Sequence, residues 1–178
     1  MMKHNAKIIL ALLLILSIFL ILLVTGVFSQ GPSLKPIKKL QEYNLQLIYP
    51  DQSNFDSKAL TGEYYMVSFI ASWCGHCIEE IAVINSLDKK IPVKLVGIVV
   101  SDDEKNIKDL FRYMKNPFDY IGMANQFVAY NFGNFSLPQS YIVNQDGEML
   151  FKYSGVISKR QFEEQIIPFL EQVSVQSD

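Results

Sequence analysis

Only two cysteines and two histidines occur in the 178 residues, and that scarcity removes several chemistries at once. A structural zinc site takes about four ligands. Beyond residue 30 the chain offers only Cys74, Cys77 and His76, so no metal is expected. One cysteine pair cannot make a disulfide framework, and the fold must rest on its hydrophobic core. Attachment of a c-type haem needs a histidine directly after the second cysteine, and Ile78 stands there. No basic run is interleaved with aromatics. Past residue 30, fourteen basic residues face eighteen acidic ones, which argues against a nucleic-acid partner. Charge is missing altogether from Ile8 to Phe28.

That uncharged run reads IILALLLILSIFLILLVTGVF, 21 residues. At ~1.5 Å per residue a helix of this length spans the ~30 Å hydrocarbon core. A cleavable signal peptide has a shorter apolar region, about 7–15 residues, and Val27-Phe28-Ser29 makes a poor cleavage site. A retained anchor is therefore expected. Lys3 and Lys7 precede the run and Lys35, Lys38 and Lys39 follow it; Lys7 abuts it, which favours an amino terminus inside. The expected organisation is a short cytoplasmic tail at 1–7, a transmembrane anchor at 8–28, a tether at 29–40 carrying Gly31, Pro32 and Pro36, and a folded domain at 41–178.

Within the domain the periodicities alternate. Leu45–Ile48 and Tyr64–Ile70 read as strands, and Val93–Val100 (VKLVGIVV) is the continuous apolar run of a strand covered on both faces. Gly75 to about Leu87 is helical, with Ile78, Ile81, Ala82 and Ile84 on one face. Ile107, Leu110, Phe111 and Met114 fall at i, i+3, i+4 and i+7 of a second helix, and Ala124–Tyr130 makes a weaker third. After Pro138, Ser140–Asn144 and Glu148–Tyr153 form a hairpin around Asp146-Gly147. A final helix starts at the capping box of Ser158 and Gln161, and Pro168 should kink or loosen it. This order predicts an α/β fold, a mixed sheet with helices on both faces.

The pair Cys74–Cys77 lies where the Met66–Ile70 strand gives way to the first helix. There the free backbone N–H groups and the helix dipole stabilise a thiolate. An inert staple closing so short a loop would constrain little of the unfolded chain. The expected chemistry is thiol–disulfide exchange: Cys74 takes part in the mixed disulfide and Cys77 resolves it. Trp73 would shield one side of the pair.

Trp73-Cys74-Gly75-His76-Cys77 after a strand, with Leu137-Pro138 before a later one, resembles the thioredoxin superfamily over about Leu45 to Val173. The resemblance implies a thioredoxin fold in which Pro138 is cis and faces the pair, so that Trp73, Gly75, Leu137 and Pro138 line the substrate groove. Between Val99 and Pro138 there are 38 residues, which implies a central helical insertion. Anchor, insertion and an acid, Glu80, three residues after Cys77 are similar to the membrane-tethered thioredoxins of cytochrome c maturation, the DsbE/CcmG type and its ResA/TlpA relatives. That likeness implies a domain facing the periplasm from the bacterial inner membrane and no cofactor. The pair would reduce the haem-binding cysteines of an apocytochrome c or a maturation component. A membrane electron donor of the DsbD/CcdA type would recharge it.

Two residues set the direction of electron flow. Glu80 shares a helix face with Cys77 and would handle protons for the inner thiol, the more so because Ser68 occupies the place of the buried aspartate of cytosolic thioredoxins. His76 departs from the maturation branch and resembles protein disulfide isomerases. An imidazolium beside Cys74 stabilises the thiolate and makes the pair more oxidising, so a periplasmic disulfide oxidase or isomerase is the alternative. A tethered copper chaperone would need a distal histidine, and none follows His76.

Overall fold

The computed structural model describes residues 39–40, 43, 45–49, 60–133 and 136–174, together with the helical residues Leu12, Leu14 and Ser17. The chain divides into two units, Met1–Ser33 and Leu34–Asp178, and the sheet and its helices belong to the second. The tail expected at 1–7, most of the anchor expected at 8–28 and most of the tether at 29–40 lie outside the described residues. Among the described residues no helix is long and apolar enough to cross a membrane.

Six strands form one mixed sheet: β1 (Gln46–Tyr49), β2 (Tyr65–Ile70), β3 (Lys94–Val100), β4 (Tyr120–Ala124), β5 (Gln139–Val143) and β6 (Met149–Ser154). Their spatial order is β1-β4-β3-β2-β5-β6. The pairs β2/β3 and β3/β4 are parallel, and β1/β4, β2/β5 and β5/β6 are antiparallel. The helices are α1 (Gly75–Asn85), α2 (Glu104–Tyr113), α3 (Gln126–Asn131), α4 (Lys159–Gln161) and α5 (Ile167–Ser174), with a π-helical turn at Phe162–Ile166 joining the last two.

Every residue of β2 is buried, because the strand has a core on each side. Met66 and Ile70 face one cluster with Cys77 and Ile81 of α1, Ile107 of α2 and Leu170 of α5. Tyr65, Val67 and Phe69 face the other, with Val128 of α3 and Phe132 just beyond it. Helices therefore cover both faces, as the alternating periodicities predict. Each large apolar side chain so buried stabilises the fold by roughly 1.5–3 kcal/mol relative to exposure.

The structure corrects the sequence reading between Val99 and Pro138. The insertion is not only helical: it carries β4, which slots between β1 and β3. The segment YIGMA carries little strand signal of its own, being short and centred on glycine. Gly122 suits the close approach there, since a Cβ would come within 3.2 Å of the Cβ of Leu45, the residue just before β1. Ala124 belongs to β4, so the helix expected from Ala124 begins at Gln126, while the expected hairpin and the capping box of the final helix are present. The hairpin turn closes with Gly147 at φ 77 and with Asn144 Oδ1 accepting from the Asp146 and Glu148 amides. Ser158 and Gln161 make the capping box. Pro168 has no N–H to give the carbonyl of Glu164, and the helix answers just upstream by widening: the Ile167 N–H donates to Phe162 O.

Candidate active site

Cys74 is the N-cap of α1, with extended backbone at φ −88 and ψ 102. Its sulfur accepts the Cys77 N–H at 3.1 Å. No acidic residue occupies the first turn of α1, so nothing there cancels the positive end of the helix dipole. Cys74 and Cys77 are joined as a disulfide, Cα to Cα 5.2 Å. Cys74 keeps a small exposed edge at 7%, whereas Cys77 is fully buried. Only the outer sulfur can meet a partner.

The sequence-predicted residues gather around this edge. Trp73 is 62% exposed and stands up beside the pair instead of entering the core, its indole N–H donating to Ser101 O at 2.9 Å. Gly75 and His76 are exposed on the first turn, and His76 Nδ1 lies 3.3 Å from Glu79 Oε2. The Leu137–Pro138 peptide is cis, and Pro138 O accepts from the Gly155 N–H at 3.0 Å. Leu137 joins Trp73, Cys74, His76, Phe127 and Tyr130 in lining a groove of about 860 Å³. Among the described residues that line it, none is an acid, a lysine or an arginine, so it suits an uncharged or apolar stretch of polypeptide.

Glu80 sits elsewhere, beneath the pair. Only 2% of it is exposed. Its Oε1 accepts from Ser140 Oγ at 2.9 Å and its Oε2 from the Ile157 N–H at 2.9 Å. Burial lifts this carboxyl above the usual glutamate range, and the bonds from Ile157 and Ser140 pull it only part of the way back. A carboxyl so raised keeps its proton to higher pH than an exposed glutamate does, and it sits one helical turn from the inner cysteine.

Several residues of the site escaped the sequence reading. Asp102 accepts the Ser72 N–H at 2.5 Å and the Asn106 side-chain amide at 3.0 Å. Burial alone would raise its carboxyl, but those bonds, with one from the Asp103 N–H, outweigh it and hold the carboxyl below the ordinary aspartate value. Ser101, at φ 54, turns the chain so that its carbonyl meets Trp73 while the next side chain meets Ser72. The corner thus clamps both residues that precede Cys74. Phe127 and Tyr130, exposed at 75% and 64%, come from α3, which is held by the Tyr141 hydroxyl donating to Phe132 O at 2.6 Å. The one available signal was the pair of aromatics at i and i+3 on a weakly amphipathic helix.

Comparison with known proteins agrees with this geometry. Residues 32–166 match the model of the Redoxin family. Thiol:disulfide interchange protein CycY of Rhizobium leguminosarum is 31% identical over 114 residues, 64% of this chain and 61% of that one. Thiol:disulfide interchange protein DsbE-2 of Pasteurella multocida is 25% identical over 142 residues, 79% of this chain and 66% of that one. The match thus spans less than two thirds of either relative. A structure from Chlorobium tepidum, described as a thiol:disulfide interchange protein DsbE, superposes with a TM-score of 0.62 at 19% identity, covering 75% of this chain and 96% of that one. That likeness shows a shared thioredoxin fold. With more than half of its length matched, this chain belongs to the Redoxin family.

Proposed function

We propose that the protein is a thiol–disulfide oxidoreductase of the DsbE type, and that Cys74 and Cys77 reduce the disulfide of a protein substrate. The observation that supports this best is the placing of the two sulfurs: Cys74 caps α1 at the floor of an uncharged groove, and Cys77 lies sealed beneath it. The Cys74 thiolate attacks one sulfur of the substrate disulfide, forming a mixed disulfide and expelling the other sulfur, which takes a proton. Cys77 then gives its proton to Glu80 and attacks Cys74. The mixed disulfide breaks, the second substrate thiol leaves, and Cys74 and Cys77 end as a disulfide, two electrons having passed to the substrate. Trp73, Gly75, His76 and Leu137 wall the groove in this reading, and the cis Pro138 follows Leu137 behind it.

The substrate we assign is the haem-binding cysteine pair of an apocytochrome c or a maturation component, with recharging by a membrane donor of the DsbD/CcdA type. The chain would be held at the inner membrane by 8–28, with 1–7 in the cytoplasm, 29–40 as tether and 41–178 facing the periplasm. The uncharged run, the similarity to DsbE-type relatives and the uncharged groove support this. Partner capture on Cys77→Ser tests it: apocytochrome or maturation components should appear as mixed disulfides with Cys74, and their absence sinks the substrate assignment.

A second reading, disulfide oxidase or isomerase, is favoured by His76 on the first turn of α1. Against it, Glu79 lies 3.3 Å from the imidazole and offsets any positive charge that would favour the thiolate. Equilibration with glutathione separates the two, because a potential well above about −200 mV belongs to an oxidant.

A further inference from the structure

Among the described residues the buried polar side chains are Ser68, Glu80, Gln139 and Ser140, and three of them form one chain. Ser68 and Ser140 are register partners across β2 and β5, with their Oγ atoms 2.8 Å apart. Ser140 Oγ is 2.9 Å from Glu80 Oε1. The other carboxylate oxygen is taken by the Ile157 N–H. A backbone N–H can only donate, so a proton on Glu80 belongs on Oε1, facing Ser140.

A hydroxyl both donates and accepts, and this lets the chain run either way. With Glu80 ionised, Ser68 donates to Ser140 and Ser140 donates to Glu80. With Glu80 protonated the order reverses: Glu80 donates to Ser140, and Ser140 turns to donate to Ser68. In either state each link between the three residues is made. That matters because a buried polar group left without its partner costs more than a single bond contributes. Among the described residues the other titratable group facing the trio is Tyr153, opposite Ser140 in the β5/β6 register; Cys77, one turn back on α1, is held in the disulfide and carries no proton in this state. Lys159, close to Ile157 in sequence, turns instead to Ser86 O and Asp88.

We infer that Ser68 and Ser140 form a reversible hydroxyl wire that lets Glu80 gain and lose a proton inside the core, and that the two serines bias Glu80 in opposite directions. They are positioning residues for Glu80. The wire belongs to the oxidised fold; its value to the reaction rests on the proposed role of Glu80 as proton acceptor for Cys77.

The test is a carboxyl-carbon NMR titration of the oxidised full-length chain labelled at glutamate, with the Glu80 signal identified by its loss in Glu80→Gln. Ser140→Ala removes the partner of both forms, but the bond it gives the ionised carboxylate is charge-assisted and the stronger of the two, so the Glu80 midpoint moves up. Ser68→Ala removes the acceptor for the turned Ser140 hydroxyl, which only the protonated form needs, so the midpoint moves down. The Ser140→Ala change is about tenfold in the ratio of protonated to ionised Glu80, and the Ser68→Ala change, the loss of a neutral hydroxyl bond, is about three- to tenfold. Ser140→Thr retains the hydroxyl and stays near the parent, and with Ser68→Ala it carries the test should Ser140→Ala not fold. No movement in Ser68→Ala, or movement in the same direction as Ser140→Ala, overturns the wire. Because no turnover is involved, the reductase reading is judged separately, by whether the pH dependence of the Cys74–Cys77 potential follows the moved midpoints. Opposed midpoints with an unmoved potential leave the wire standing and remove Glu80 from the thiol chemistry.

Discussion

The backbone N–H of Cys77 points at the sulfur of Cys74 from 3.1 Å, so the disulfide partner deepest in the core also supplies the first helical donor to the outer sulfur. A thiolate on Cys74 would receive that N–H and the positive end of α1 together. The asymmetry between the two sulfurs is therefore built by one turn of helix. In reduced protein, alkylation of Cys74 in a Cys77→Ser background should titrate well below the ~8.5 of a free thiol, and Cys77 in Cys74→Ser should titrate above it. Rates with iodoacetamide against pH give both midpoints, and the reverse order would make Cys77 the attacking sulfur.

Glu80 gives the fold an unusual pH response. Its folded-state value lies above the ordinary 4.5, so across the window above 4.5 the native chain binds more protons than the unfolded one. Stability from this group is present below that window and is lost as pH rises through it. Glu80→Gln has no such slope, and it satisfies both neighbours, its amide donating to Ser140 and its oxygen accepting from Ile157. The variant should gain on the parent as pH rises above 4.5, read as a widening difference in melting temperature. A difference that shrinks with rising pH would contradict the assigned direction.

Asp102 should hold the wall of the groove. Asp102→Ala strands the Ser72 N–H and costs about 1–2 kcal/mol. Trp73 is the only tryptophan in the chain, so its fluorescence reports this locally, and its anisotropy should fall in the variant. In the parent the folded carboxyl titrates below the ordinary 3.8. Its contribution is thus present above 3.8 and disappears as pH falls through the lower folded value. The acid-induced change in Trp73 emission should be absent in Asp102→Ala.

His76 and Glu79 act on the potential with opposite signs, because one stabilises a nearby thiolate and the other counters it. His76→Ala should make the pair more reducing and Glu79→Gln more oxidising, each by ~10–30 mV, where 30 mV is about tenfold in the equilibrium constant. Equilibration with glutathione reads both. Both residues are largely exposed, at 76% and 61%, and raised salt should diminish the two shifts together.

Features that depend on neighbours in the chain were legible in the sequence. Two near-continuous apolar runs, Tyr64–Ile70 and Val93–Val100, had to be strands covered on both faces. A cysteine at a strand-to-helix junction had to cap a helix, and Ser158 with Gln161 had to start one. The absence of other cysteines and histidines left redox exchange as the chemistry of the pair. Features that depend on residues far apart came from the tertiary fold. Strand β4 is short and weak in β-formers, and it becomes a strand only because β1 and β3 offer edges on both sides. Glu80 reads from sequence as equally suited to surface or core; Ser140, 60 positions away, and Ile157, 77 positions away, satisfy its two oxygens and allow its burial. Asp102 and Ser101 carry no motif, yet they hold Ser72 and Trp73 from about 30 positions along the chain. Local pattern is dictated by propensity and periodicity, whereas the protonation and shape of a site come from long-range hydrogen bonds that no window of sequence contains.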